Sequence, residues 1–238
     1  GSSGKKKMPA YASLWRYEDV EAVQDRCNHA RELGYNYIKL HEIFTPEVEA
    51  ARKILGDDIP IMVDTNCPWT KDQARQILSE WEDFNLYWVE EPINPPEDFE
   101  SLSHLRSESL IPIAAGENAC TSFEFKKMFE YDAVDYAQPS VTKVGGITEF
   151  KKIISVAETF GVQVMPHSPY FGPGFLATLH LSQSVPNSGL LERFFIDFEA
   201  YIYPEQIFNP KSGSFEIPNG IGLGFDPDKN VLKDYRVN

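Results

Sequence analysis

No apolar run in the 238 residues is long enough to cross a bilayer, and the N-terminal stretch has no apolar core of a secretion signal. No membrane partner is expected. Cysteine is scarce: Cys27, Cys67 and Cys120 are odd in number and share no metal-ligand spacing. That argues against a disulfide framework and for a reducing, cytoplasmic setting. Positive charge is in deficit, with 22 Lys and Arg against 36 Asp and Glu and a net charge of −14. Beyond residues 5–7 there is no basic stripe, so neither nucleic acid nor an anionic membrane is an expected partner. An anionic substrate would need a local cation to overcome that field. The glycine-rich phosphate loop that accompanies an open, doubly wound sheet is also missing.

What is present, 42% hydrophobic and 13% aromatic residues, suffices to build a packed core rather than a disordered chain. The length suits one α/β barrel or two smaller domains. Residues 86–92, Leu-Tyr-Trp-Val-Glu-Glu-Pro, form an apolar run ending abruptly in two carboxylates and a proline. A buried strand has this form when its C-terminal end opens into a polar site. Two further runs finish alike: 59–63 enters Asp64-Thr65-Asn66, and 111–115 enters Gly116-Glu117-Asn118. Asp64, Glu90 and Glu117 therefore stand at the ends of three successive strands. Three converging carboxylates repel, and a hard divalent cation with oxygen ligands is the usual reason to tolerate them.

Along the chain, 9–14 reads as a first strand and 17–33 as an amphipathic helix closed by Gly34. The next strand, 35–40, carries Lys39 and stops at His41. Thr45-Pro46-Glu47 has the N-cap, proline and acid of a helix start, and Gly56 the stop. Thr70 with Gln73, and Thr121 with Glu124, have the spacing of capping boxes. A helix follows Pro95-Pro96, a strand over 133–137 ends in Gln138-Pro139-Ser140, and a helix covers 147–160 with Gly161 as its stop. Residues 162–165 then lead to His167, and 189–191 to Glu192. From His41 through Asp64, Glu90, Glu117, Ser140 and His167 to Glu192, the steps are about 23, 26, 27, 23, 27 and 25 residues, one strand–helix unit each. With the first strand this makes eight units, which predicts a TIM-type (β/α)8 barrel with its site at the strands' C-terminal ends. His29, His104 and His180 fall within helical patterns, and Cys67 and Cys120 read as small buried residues.

These motifs, in this order and spacing, resemble the enolase superfamily, and within it the mandelate racemase/muconate-lactonizing group. The resemblance rests on Lys39-Leu40-His41, Asp64-Thr65-Asn66, Glu90-Glu91-Pro92, Gly116-Glu117-Asn118, Lys143-Val144-Gly145-Gly146, His167 and Glu192 in Leu-Leu-Glu-Arg. It implies a (β/α)8 or modified (β/α)7β barrel and Mg²⁺ held by Asp64, Glu90 and Glu117. Lys39 and the metal would grip a substrate carboxylate and stabilise the enediolate left when its α-proton departs. Glu192 would hydrogen-bond a carboxylate oxygen while protonated or sharing a proton. Asn66 and Asn118 would fix water or ligand orientation around the metal.

Three features depart from the family pattern. His41 stands where the second Lys of a Lys-x-Lys motif is usual; an imidazole can still take an α-proton. Ser140 stands where racemase-like members carry the Asp that pairs with the His after strand seven. It can orient His167 but adds no charge, which favours His167 as a proton donor. No stretch of these 238 residues resembles the α+β capping domain that normally precedes the barrel, so either a fragment or incomplete substrate recognition is expected. The expected division is a tail or remnant over 1–8, a catalytic barrel over 9–200 and a tail over 201–238. The implied activity is Mg-dependent α-proton abstraction from a small carboxylate, with dehydration of a sugar acid preferred and racemisation or epimerisation the alternative. A reading of another class is a catalytically silent metal-binding fragment or scaffold. Homo-oligomers are common among such barrels and are expected here.

Overall fold

Short β-branched and aromatic runs alternate with amphipathic stretches in the sequence, and strand alternates with helix in the fold. The computed structural model describes residues 6–186 and 188–237. In chain order the elements are β1 (Lys7–Ser13), α1 (Val20–Glu32), β2 (Ile38–Leu40), α2 (Thr45–Leu55), β3 (Ile61–Asp64), α3 (Lys71–Trp81), β4 (Leu86–Glu90) and α4 (Phe99–Glu108). There follow β5 (Ile113–Ala115), α5 (Ser122–Glu130), β6 (Tyr136–Ala137), α6 (Ile147–Phe160), β7 (Gln163–Val164), α7 (Pro173–Ser184), β8 (Leu191–Phe194), β9 (Ser214–Glu216) and α8 (Lys229–Asp234). Strands β1 to β8 run parallel in the order β7-β6-β5-β4-β3-β2-β1-β8. The sheet curls until its ends touch: Val164 and Ser188 form a parallel bridge, and Gly189 N–H donates to Val164 O at 3.0 Å.

One unit departs from eightfold repetition. No helix follows β8 directly, so seven strand–helix units and a lone eighth strand make the modified (β/α)7β form. Phe208 and Phe215 pack on Phe175 of α7, and Phe195 lies against His29 of α1. The C-terminal segment thus covers the barrel wall between α7 and α1, where an eighth helix would sit. Its β9 pairs antiparallel with Lys7–Pro9 at the start of β1.

The helix signals act largely as read. Thr70 and Gln73 form a complete capping box, Thr121 accepts from Glu124 N–H, and Gly161 closes α6 in the left-handed conformation. Two starts differ. The first helix begins at Val20, because Asp19 accepts from Ala22 N–H and ends the extended entry there. Thr45 lies inside α2 after Phe44, and its hydroxyl accepts from Trp81 Nε1–H at 3.1 Å instead of capping. The sequence reading gave α7 no boundaries. Phe175, Leu176, Thr178, Leu179, Leu181 and Ser182 are all buried, so no polar face marks a helical period.

Inside the barrel, side chains two residues apart on one strand share a face and fill successive layers. Tyr11, Met62, Trp88, Ala114, Met165 and Leu190 form an apolar layer, joined at its edge by Tyr37 and Tyr136. Two positions further along the same strands stand Ser13, Asp64, Glu90, Gly116, His167 and Glu192, with Lys39 and Gln138 beyond the two tyrosines. One strand period therefore separates hydrocarbon from charge.

Candidate metal centre and active site

The polar layer is buried and highly charged. Asp64, Glu90 and Glu192 have almost no solvent access, and neither does Lys39 between them. The Lys39 ammonium lies 3.1 Å from carboxylate oxygens of all three, with its Nζ 5.7 Å from the centroid of the Tyr11 ring in the layer beneath. Burial opposes its charge, but Glu192 and Glu90 outweigh that and hold the lysine protonated, well above its ordinary range. Glu90 goes the other way: burial first, then the charge of Asp64, pushes its carboxyl well above the usual range. Trp88 Nε1–H donates to it at 3.1 Å from the apolar layer. Burial also opposes the charge of Asp64, but Lys39 and His41 together hold that carboxyl below its ordinary value.

Glu117 completes the cluster. It accepts from His167 Nε2 at 2.9 Å and from Lys143 Nζ at 3.1 Å. Against burial, the hydrogen bond and charge of His167 lower its carboxyl to about 2. Gly116 before it has φ +137°, and a Cβ there would stand 2.8 Å from the Phe125 ring and 3.0 Å from Gln138 N, so this turn needs glycine. One oxygen each from Asp64, Glu90 and Glu117 lies within 4.8 Å of the others. A set of hard oxygen donors with too little positive charge around it suits Mg²⁺ or a similar divalent cation.

Two imidazoles flank the carboxylates from opposite sides of the mouth. His41 Nε2 lies 3.3 Å from Asp64, while its Nδ1 faces Leu14 O. A carbonyl only accepts, so Nδ1 carries hydrogen, and Nε2 is the nitrogen turned toward the carboxylate cluster. Glu42, next to His41 in the sequence, is buried and accepts instead from Tyr17 and Glu18 N–H. His167 presents Nε2 to the carboxylate of Glu117, which assigns the hydrogen to that nitrogen.

The expected link from Ser140 to His167 is indirect. Ser140 Oγ lies 2.6 Å from Tyr170 OH, and that hydroxyl lies 3.4 Å from His167 Nδ1, because serine is too short to span the gap. Asn66 offers Asp64 its backbone N–H at 3.1 Å, whereas Asn118 donates to Glu91 at 2.7 Å rather than to Glu117. Glu192 lies 3.1 Å from the Lys39 ammonium. Burial opposes its charge, but Lys39 holds the carboxyl below its ordinary value, and it accepts from Ser13 Oγ at 2.7 Å and Ser168 N–H at 3.1 Å. Cys67 is half-buried on Glu91, and Cys120 is exposed rather than buried.

Ser13, Tyr170 and Gln138 reach the site without having been singled out. Gln138 is buried, and its side-chain amide makes no hydrogen bond of normal geometry among the described residues. Two-residue spacing from an interior aromatic, Tyr11 or Tyr136, would have found Ser13 and Gln138; nothing in the sequence marks Tyr170. No helix among the described residues is long and apolar enough to cross a membrane.

L-talarate/galactarate dehydratase of Salmonella typhimurium is 34% identical over 203 residues, covering 82% of this chain and 48% of that protein. Arabinonate dehydratase of Saccharolobus solfataricus is 30% identical over 244 residues, 98% of this chain and 64% of that one. Among solved structures, L-talarate dehydratase from Polaromonas sp. JS666, complexed with Mg and L-glucarate, superimposes with a TM-score of 0.85 at 30% identity. That match covers 98% of this chain and 64% of the other. The chain thus spans about half to two thirds of the length of the curated relatives it matches. Residues 22–231 match the enolase C-terminal domain-like family, and with this barrel and these strand-end residues the chain belongs to that family, within the enolase superfamily.

Proposed function

We propose that the chain carries the catalytic barrel of an Mg²⁺-dependent sugar-acid dehydratase. The observation that carries this reading is the pair of imidazoles on opposite flanks of one carboxylate cluster, His41 against Asp64 and His167 against Glu117. Asp64, Glu90 and Glu117 would hold the metal, whose chemistry is to act as a Lewis acid toward a substrate carboxylate. The Lys39 ammonium adds positive charge where the enediolate oxygens form. His41 takes the α-proton at Nε2. His167, hydrogen-bearing at Nε2, delivers a proton to the β-hydroxyl as it leaves as water. Ser13 and Ser168 N–H keep Glu192 in place beside Lys39. D-xylonate, arabinonate, L-talarate/galactarate and D-gluconate dehydratases are among the relatives, in keeping with dehydration as the reaction.

The same two imidazoles would serve a two-base epimerisation, in which the second returns a proton to carbon. Incubation of sugar acids in D₂O with Mg²⁺, followed by NMR, separates the two. Dehydration gives a 2-keto-3-deoxy product. Retention of every hydroxyl with inversion at the α-carbon would replace dehydration by epimerisation. Metal-dependent turnover of any kind excludes the silent scaffold, whereas exchange that persists in both His41→Ala and His167→Ala overturns the proposed roles.

A further inference from the structure

An arginine without an acidic partner lines the space beside the carboxylate cluster. Arg16, just past β1, donates from Nε to His41 O and from Nη2 to Thr65 O at 3.1 Å and Asn66 Oδ1 at 3.4 Å. All three acceptors are neutral. No ion pair to Arg16 occurs among the described residues, and Nη1 has no described hydrogen bond, in a chain with 36 acids and 22 bases. Glu42 is near enough to feel the charge, but its two oxygens are taken by Tyr17 and Glu18 N–H.

The guanidinium lines a cavity of about 600 Å³ together with Trp15, His41, Asn66 and Phe194, with exposed Glu18 also on its wall. Trp15 and Phe194 stand 5.4 Å apart, centroid to centroid, and form an aromatic side. Asn66 joins this cavity to the cluster, touching Arg16 through its side chain and Asp64 through its backbone N–H. The cavity therefore adjoins the proposed metal site on the His41 side.

We infer that this cavity is the subsite for the far end of the substrate, and that Arg16 takes a second carboxylate there, making the preferred substrates sugar diacids. A guanidinium already held at Nε and Nη2 presents Nη1 in a fixed orientation, free to donate a charge-assisted hydrogen bond to a carboxylate oxygen. The aromatic side accepts the C–H face of the intervening carbons. This inference rests on the proposed function, because the near carboxylate is the one presented to the metal and Lys39.

The test is equilibrium binding of galactarate and galactonate, which differ in the distal group, to the Mg²⁺-loaded chain, followed by Trp fluorescence and calorimetry. The expected result is about tenfold or greater preference for the diacid, the usual worth of a charge-assisted hydrogen bond. That preference should fall with added salt and collapse to near unity in Arg16→Gln. Arg16 also ties two backbone carbonyls, so Arg16→Lys is the second variant, keeping the charge and part of the preference. Equal binding of both acids to the wild type, or a preference that survives Arg16→Gln, overturns the subsite and leaves the dehydratase reading standing. Binding of neither acid in the presence of Mg²⁺ overturns both.

Discussion

The two layers inside the barrel come from the same strands two residues apart, yet they follow opposite rules. In the lower layer Met62, Trp88, Met165 and Leu190 pack as hydrocarbon, and truncation there removes contacts and leaves space. In the upper layer Asp64, Glu90 and Glu192 crowd around one ammonium, and Glu90 is held against its preference. The lower layer supports the fold. The upper layer taxes it, because buried charges lose hydration that their mutual contacts only partly restore. A site retained at such a cost points to a function for the charges.

Opposite signs should therefore appear in paired variants. Glu90→Gln is expected to lower turnover by about a thousandfold or more, through loss of metal-assisted charge stabilisation. The same change should raise, or leave unaltered, the melting temperature of the chelated protein, since it removes the carboxylate most disfavoured by burial and by Asp64. Met62→Ala, one layer down, should cost about 2–5 kcal/mol in urea unfolding. A destabilised Glu90→Gln or an unaffected Met62→Ala would erase the contrast.

Lys39→Ala sharpens it. Removing the shared cation leaves three buried carboxylates facing one another, and the chelated protein should lose about 3–5 kcal/mol. Mg²⁺ should then raise the melting temperature more in the variant than in the wild type, because the metal supplies the missing positive charge.

The smallest expected effect is in acid. Glu117 titrates at about 2 in the folded chelated protein, against an ordinary 4.5. Its folded value is depressed, so its contribution to stability is present above 4.5 and is lost as pH falls from there toward 2. Glu117→Gln should flatten that part of the stability profile, as measured by urea unfolding at successive pH values.

Much of this layering was legible in the sequence because it depends on position along a strand. Apolar runs that stop at Asp64, Glu90 and Glu117 have no other economical reading once they recur at the length of a strand–helix unit. The caps at Thr70 and Thr121 were equally local. What escaped depends on contacts between distant segments. Tyr170 lies 30 residues from Ser140, and only the fold brings its hydroxyl between Ser140 and His167. Asn118 was expected to orient water or ligand around the metal, and its amide turns to Glu91. The spacing to Glu192 gave eight strands, and of the two forms expected, (β/α)8 and (β/α)7β, the second is adopted, with no helix directly after β8 among the described residues. The segment after it covers the wall with Phe208 and Phe215 instead of a helix, and nothing in residues 201–238 has a helical period long enough to replace one.

The contrast between the layers holds if the upper one is a divalent-cation site. Titration of Mg²⁺ into the chelated chain by calorimetry tests it most directly. One ion per chain is expected, with binding abolished in Asp64→Asn, Glu90→Gln and Glu117→Gln alike. No uptake of Mg²⁺, or uptake unchanged in all three variants, would contradict it.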